Sequence, residues 1–168
     1  ILTCTTLYRA AELVGEAMQA MQARDRARIE ASGSAADASI ILAGQRRGGA
    51  LRLFLVYTAG NFIEATEDTP FLQIGEHKYG KPILDRVIRP DTPLSDVLKA
   101  AMISMDSTLR SNLSVGMPLD LAVIRAESFG VVEARRFESD DPVFRQISEA
   151  WSKELRAAFH ALPEVPLS

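Results

Sequence analysis

The densest group of side chains that could do chemistry lies in SMDSTLRSNLS, residues 104–114. If Asp106 to Asn112 is helical, Asp106 lies four residues before Arg110 and can pair with it. One interpretation is an Asp–Arg surface pair followed by a hydroxyl-rich helix end, with Asn112 in the left-handed conformation. A second interpretation is that hydroxyls and carbonyls from this stretch converge on a site shared with another segment. The residues alone favour the first.

The remaining reactive residues form no known catalytic or ligand-binding pattern. His77 and His160 lie far apart, and Cys4 is the only cysteine, so the spacing of a metal site is missing. The segment GEHKYGK lacks the Ser or Thr that follows the lysine of a phosphate-binding loop. No G-x-S-x-G motif is present. The sequence therefore predicts no cofactor and no bound metal.

Composition limits the classes of partner. The 168 residues are 47% hydrophobic and carry a net charge of -3, which is typical of one globular domain. This weakly acidic balance favours neither nucleic acid nor an anionic membrane surface as a partner. No apolar run is long enough to cross a bilayer. Because the single Cys4 excludes an internal disulfide, we expect a reducing compartment, the cytoplasm.

The chain is predicted to begin with an amphipathic helix. Thr5 or Thr6 can cap it, and its charged tail extends through Glu30. Its apolar positions recur every three or four residues, as expected for one buried helix face. These positions are Leu7, Ala11, Val14, Met18 and Met21.

Strand patterns follow this helix. SIILAGQ and ALRLFLVYTA flank RRGG, which predicts a β-hairpin because glycine adopts positive φ easily. NFIEATED and FLQIG predict two more strands, so four strand segments are expected before a short helix.

The second half predicts a long helix, a hairpin and a final helix. The long helix carries Leu98, Met102, Met105 and Leu109 on one stripe. The hairpin LDLAVIRAESFGVVEARRFES turns near residues 128–130. The final helix begins near Pro142, and we expect it to bury Phe144, Ile147, Trp151 and Leu155. Hairpins between long amphipathic helices favour an α+β arrangement of stacked antiparallel sheets covered by helices, in a single domain 1–168.

Two long blocks carry a family resemblance. GNFIEATEDTPFLQIGEHKYGKPILDRVI and SMDSTLRSNLSVGMPLDL closely resemble the Anbu family, bacterial relatives of the proteasome β subunit and the HslV peptidase. The resemblance extends from about Leu7 to Glu154. It implies a four-layer αββα sandwich of the N-terminal-nucleophile hydrolase type. It also implies a threonine-type peptidase subunit that hydrolyses amide bonds of peptides or unfolded proteins within an open-ring or spiral homo-oligomer.

The resemblance places the attacking group outside this chain. In the family, the hydroxyl of an N-terminal threonine attacks while its own α-amine acts as the base, helped by an Asp and a Lys. Ile1 has no hydroxyl, and Thr3 leads into a helix whereas the family nucleophile begins a strand. The chain thus resembles the C-terminal two-thirds of a subunit that lacks its N-terminal strands. We expect a longer natural polypeptide whose leading strands cover the sheet edges.

The resemblance also suggests supporting residues within the chain. Glu76 takes the place of a serine that neighbours the nucleophile in relatives. Ser111 and Asn112 match a turn behind the nucleophile, whereas an alternative register matches Ser114 to the serine that contacts the terminal amine. Asp106 precedes this turn on the helix. Both registers stay open from the sequence.

Two other functions are compatible with the same fold. The subunit can be a catalytically inactive scaffold of the assembly, or an amidase of the same nucleophile class that acts on small amides. A threonine that begins the mature chain and leads into a strand favours an enzyme. The sequence predicts neither the cleavage preference nor the number of subunits.

Overall fold

A computed structural model describes residues 3–166 of the chain, so the predictions for Ile1 concern a residue outside this range. Helices and strands are mixed, which confirms the α+β class. The elements are α1 (Leu7–Ala31), β1 (Ile40–Gln45), β2 (Leu51–Val56), β3 (Phe62–Glu64), α2 (Lys81–Val87), α3 (Leu94–Ser111), β4 (Leu119–Ile124), β5 (Val131–Phe137) and α4 (Pro142–His160).

The chain forms two compact units. The first contains the residues up to Gly75 together with 122–134, and the second contains residues 76–121 together with those from Arg135 onward. No helix in the described part of the chain is both long and apolar enough to span a membrane.

Helix α1 of the first unit starts where its capping residue predicts. The Thr6 hydroxyl accepts a hydrogen bond from the backbone N–H of Arg9 at 3.1 Å, so Thr6 and not Thr5 is the N-cap. The helix ends at Ala31, and Gly33 follows with a φ of +80°. The predicted helix is therefore confirmed at both ends.

The first unit also contains a three-stranded antiparallel sheet in the order β1-β2-β3. Ile40 pairs with Val56 and Gln45 with Leu51, and Gly48 in the connecting turn has a φ of +76°. This confirms the predicted first hairpin.

The fourth strand predicted at FLQIG is wrong. Residues 71–75 form no strand, and the preceding chain is instead closed into a turn by reciprocal backbone hydrogen bonds between Thr66 and Thr69. β propensity is local, but a strand also needs a neighbouring edge with which to pair. Within the described residues, this segment joins neither of the two sheets.

The core of the first unit lies between α1 and the sheet. Gly15 brings the two together, because a Cβ there would lie 2.1 Å from the carbonyl oxygen of Gly60 in the β2–β3 turn. The buried side chains include the predicted helix positions Ala11, Val14 and Met18, with Phe54 and Val56 from β2.

The second unit has its own core, formed by α3, α4 and the ends of β4 and β5. Met102, Leu119 and Phe137 are buried at its centre, and Met105 and Leu109 pack against them. The predicted stripe of α3 is therefore confirmed as a packing face at three of its four residues, Met102, Met105 and Leu109.

Helix α4 begins at Pro142 as predicted, because the Asp141 carboxylate accepts hydrogen bonds from the backbone N–H groups of Val143 and Phe144. Phe144 and Ile147 pack against the core. The predicted burial of Leu155 is wrong: 53% of this residue is exposed. The helix extends beyond the surface it packs on, and every residue from 153 to 160 is exposed.

The second predicted hairpin is present as β4 and β5. In β4, Leu119, Leu121 and Val123 are more buried than the residues between them, which is the alternation of a strand with one covered face. The connecting residues 125–130 include Glu127 and Phe129, both with positive φ.

Candidate functional site

The candidate site is built on the C-terminal end of α3. Asn112 follows the last helical residue, and its backbone N–H donates to the Thr108 carbonyl at 2.9 Å. The prediction that Asn112 is left-handed is wrong, because its φ of −137° and ψ of 112° are extended. Its side chain makes the turn instead: Oδ1 accepts from the backbone N–H of Ser114 at 2.8 Å and from Ser114 Oγ at 2.7 Å.

The same asparagine connects α3 to the segment that precedes α2. Asn112 Nδ2 donates to Glu76 Oε2 at 2.8 Å, and Glu76 Oε1 accepts from the backbone N–H of Lys78 at 2.9 Å. Gly75, with a φ of +75°, lets the chain turn immediately before Glu76. Glu76, Asn112 and Ser114 thus form one hydrogen-bonded group, which we call the acceptor cluster. This end of SMDSTLRSNLS thus contacts another segment, as the second interpretation requires, and a shared functional site there stays a prediction.

The acceptor cluster holds a negative charge. The hydrogen bond from the Lys78 backbone N–H is the largest effect and lowers the pKa of the Glu76 carboxyl. Desolvation opposes it, and the Asn112 amide and the positive charge of Lys78 add smaller lowering effects, so the net pKa is lowered. Glu76 is therefore a carboxylate at neutral pH.

A tight contact between helices fixes the loop that carries Glu76. Gly80 caps α2, and a Cβ on it would lie 2.2 Å from Ser104 Oγ and 3.1 Å from Thr108 Oγ1. Thr108 Oγ1 in turn donates to the Ser104 carbonyl at 2.9 Å. Since only glycine fits there, α2 begins directly against α3, and residues 76–79 are held at both ends.

Asp106 belongs to a different group. Arg110 Nε donates to the two carboxylate oxygens of Asp106 at 3.2 and 3.1 Å. Arg110 Nη2 donates to Ser148 Oγ on α4 at 2.7 Å. The predicted Asp–Arg pair is thus confirmed. Its predicted surface location holds for the Arg110 side chain, which is 58% exposed, but not for the Asp106 side chain, which is only 7% exposed. This group connects α3 with α4. One feature of the sequence indicated that Ser148 is buried: it stands among the apolar residues that α4 was predicted to bury.

Ser111 is the exposed final residue of α3 and directly precedes the acceptor cluster. Of the four candidate residues, the structure therefore brings Glu76 and Ser114 together through Asn112, leaves Ser111 beside them, and places Asp106 with Arg110 and Ser148. Their roles in catalysis stay predictions.

The hydrogen-bond donors and acceptors of the acceptor cluster determine which reactions and ligands it can support. The Ser114 hydroxyl donates to an amide oxygen, which is no base, so nothing here activates it as a nucleophile. Its lone pairs and the Glu76 carboxylate remain able to accept hydrogen bonds. The cluster is suited to holding an ammonium or a hydroxyl group of another segment or ligand.

Comparison with solved structures identifies the family. The chain is similar to Anbu (ancestral beta-subunit) from Yersinia bercovieri, with 46% sequence identity and a TM-score of 0.90 over 99% of this chain and 69% of that chain. The chain belongs to the Anbu family. The predicted resemblance is confirmed, and with it the relation to the proteasome.

Two further Anbu structures give the same result. Anbu from Hyphomicrobium sp. strain MC1 is 48% identical, with a TM-score of 0.89 over 99% of this chain and 67% of that chain. The helical assembly of the Anbu complex from Pseudomonas aeruginosa is 47% identical, with a TM-score of 0.87 over 95% of this chain and 66% of that chain. No family model matches the chain, and no curated protein does.

Proposed function

We propose that this Anbu chain forms part of a threonine-type peptidase subunit that hydrolyses amide bonds of peptides or unfolded proteins. The observation that carries the proposal is the acceptor cluster: an ionised carboxylate and a serine oxygen held side by side through Asn112. The attacking threonine and its helper Asp and Lys lie outside the residues of this chain. In the reaction, the threonine hydroxyl attacks the amide carbonyl and its α-amine takes the proton.

The acceptor cluster holds the α-amine of that threonine. Ser114 Oγ already donates to Asn112, so it is left to accept from an amine N–H, and Glu76 supplies the negative charge. This arrangement favours the register that matches Ser114 to the amine-contacting serine. Ser111 then lies beside the acceptor cluster and does not contact the amine. Asp106 is a positioning residue that acts through Arg110, because its buried carboxylate is already paired.

The full subunit has the four-layer αββα sandwich of N-terminal-nucleophile hydrolases and works in the cytoplasm. The exposure of two strand residues supports the proposal that this chain contains only part of the sandwich. Val131 and Val132 are adjacent in β5 and point to opposite faces, yet they are 57% and 49% exposed. Exposed valines on both faces of a strand fit a sheet that further strands or helices cover.

Self-association into an open ring or spiral is part of the proposal. Its support is the relative from Pseudomonas aeruginosa, which is described as a helical assembly and is 47% identical to this chain. Sedimentation velocity of the purified protein should give a mass of several subunits. A single-subunit mass at micromolar concentration would contradict this part.

The activity is tested on the full-length protein with fluorogenic peptides, isopeptides and small amides. We expect peptide hydrolysis that a threonine-directed covalent inhibitor abolishes. Glu76→Gln and Ser114→Ala should each lower kcat by about tenfold or more, since the first removes the negative charge and the second removes the hydroxyl oxygen that would hold the amine acting as base. Glu67→Gln is the matched control, because Glu67 is exposed in a loop outside the cluster, and it should leave kcat unchanged.

The assay also separates the two alternatives. Hydrolysis restricted to small amides would assign an amidase of the same nucleophile class. An assembled protein that cleaves none of the substrates and takes up no inhibitor would assign a structural subunit and overturn the peptidase proposal.

A further inference from the structure

Three adjoining cavities in the first unit form one cleft between the start of α1 and two β turns. The cavities measure about 410, 480 and 240 Å³, and Arg46 in the β1–β2 turn lines all three. Residues of the β4–β5 turn, 125–130, and of the start of α1 complete the walls. We call this surface the basic cleft, because none of the described residues that line it is Asp or Glu.

Two arginines supply the charge of the basic cleft. Arg46 and Arg47 are consecutive in the β1–β2 turn, and both line the two larger cavities. Arg52 also lines one of these cavities, but Glu64 balances its charge through a bidentate ion pair. At physiological ionic strength salt screens charges that lie more than about 8 Å apart. A group inside the cleft therefore responds mainly to these arginines, although the whole chain carries a net charge of -3.

Contacts from the first hairpin hold the β4–β5 turn in place as a wall of the cleft. Glu127 and Phe129 have φ of +64° and +51°, a region that residues other than glycine rarely adopt. Gln45 Oε1 accepts from the Glu127 backbone N–H at 2.6 Å, and Gln45 Nε2 donates to the Glu127 carboxylate at 2.5 Å. The Arg47 guanidinium lies over the Phe129 ring, 5.2 Å from its centroid. The wall is thus fixed within the chain itself, and even with Glu127 counted two arginines stand against one carboxylate.

The smallest cavity gives the basic cleft an apolar end. It is lined by Leu7 and Ala10 of α1, Leu42 of β1 and Ile124 of β4. Phe129 borders both this cavity and one of the arginine-lined cavities. A ligand that fills both parts carries an anionic group beside an aliphatic one. An inorganic anion would use the arginines alone, and a nucleic-acid backbone needs a longer row of cations.

We propose that the basic cleft binds an acidic peptide segment of a partner protein, in which Glu or Asp stands beside a branched aliphatic residue. The guanidinium groups of Arg46 and Arg47 bind the carboxylates, and the aliphatic side chain enters the cavity beside Leu7. Charge complementarity selects an acidic segment over a basic or neutral one. The cleft shares no residue with the acceptor cluster, so this binding is separate from the proposed peptidase reaction.

Fluorescence anisotropy of the full-length protein tests the charge of the cleft. The probe is a short fluorescein-labelled peptide of alternating glutamate and leucine, measured with and without the threonine-directed inhibitor. Arg47 is exposed, so Arg47→Gln should leave the fold intact and raise the Kd by about fivefold or more. Arg24→Gln is the matched control: it makes the same charge change in α1, 17 residues or about 25 Å beyond Leu7, and should leave the Kd unchanged.

A second variant separates binding from a purely structural role of the β4–β5 turn. Phe129→Asn removes the aromatic wall, but asparagine adopts positive φ more readily than phenylalanine. The melting temperature should therefore stay unchanged or rise, while the Kd of the same peptide rises by about threefold or more. A structural role alone would lower the melting temperature and leave the Kd of the folded protein unchanged.

Control peptides decide between the possible occupants. Binding that needs both glutamate and leucine, and that both variants weaken, supports the acidic segment. A glutamate–serine peptide that binds equally well would show a site for anions only, and a glutamine–leucine peptide that binds equally well would show an apolar site only. Binding that the inhibitor abolishes would assign the peptide to the peptidase site. Each of these three results overturns the proposal, as does a full-length protein that does not bind the peptide or whose binding neither variant changes.

Discussion

At the scale of residues, the second unit uses carboxylates in two different ways: one lies inside α3 and the other lies in the loop before α2. Asp106 is buried, and its charge is balanced by Arg110, whose Nη2 group also donates to Ser148 Oγ. Glu76 is partly exposed. The Lys78 backbone N–H and the Asn112 amide donate to its carboxylate, whose oxygens can still accept a hydrogen bond from a ligand. The first arrangement stabilises the packing of α3 on α4, and the second keeps a charge available to a ligand.

The charge of Glu76 predicts a pH-dependent contribution to stability. Its hydrogen bonds lower the pKa of the folded carboxyl below that of the unfolded chain, so the contribution is full above the unfolded value, near pH 4.3. It is lost as the pH falls through the folded pKa. Glu76→Gln should therefore lower the urea midpoint at pH 7, and the difference from the native protein should shrink below about pH 4.

Glu67→Gln serves again as the control and should shift the midpoint little at either pH, since Glu67 lies exposed in a loop. A difference between native protein and Glu76→Gln that persists undiminished at pH 3 would show that the carboxylate charge is not what stabilises the cluster.

At the scale of elements, close backbone approaches decide where helices lie. Gly15 is in the middle of α1, where alanine is intrinsically more favourable by about 1 kcal/mol. Here the Cβ of alanine would lie 2.1 Å from the Gly60 carbonyl oxygen, which belongs to the backbone and has no alternative rotamer. The steric effect should win, and Gly15→Ala should destabilise the protein by about 1–3 kcal/mol in urea unfolding.

Gly116→Ala is the matched control, because a Cβ there meets nothing within 4 Å and the backbone has no positive φ. It should leave stability unchanged or raise it by about 0.4–1 kcal/mol. If Gly15→Ala were equally neutral, the approach of α1 to the β2–β3 turn would not be tight.

Elements that carry their own signal were predictable from the sequence. The apolar stripe of α3 follows from spacing alone, and Thr6 and Pro142 mark the starts of α1 and α4. Features that depend on distant partners were not. FLQIG has the composition of a strand but joins neither sheet of the described residues, and the Glu76–Asn112 hydrogen bond connects residues 36 positions apart. Only the family resemblance indicated that the segments of Glu76 and Asn112 belong to one site.

At the scale of the whole molecule, Leu155 shows how a correct pattern can give a wrong location. It continues the apolar face that Phe144 and Ile147 bury, so periodicity predicts that it is buried as well. Periodicity gives the face of a helix but not how far the rest of the chain extends along it. The predicted face is therefore correct, and its burial ends where the described residues stop covering it.

This predicts that a charge is tolerated at position 155 but not nearer the start of the same helix face. Leu155 is 53% exposed, so Leu155→Glu should change the free energy of unfolding in urea by no more than about 0.5 kcal/mol. Ile147 packs against the core of the second unit, so Ile147→Glu brings an unpaired carboxylate against apolar side chains and should cost about 2 kcal/mol or more. An equally large loss for Leu155→Glu would show that position 155 is covered in the full-length protein.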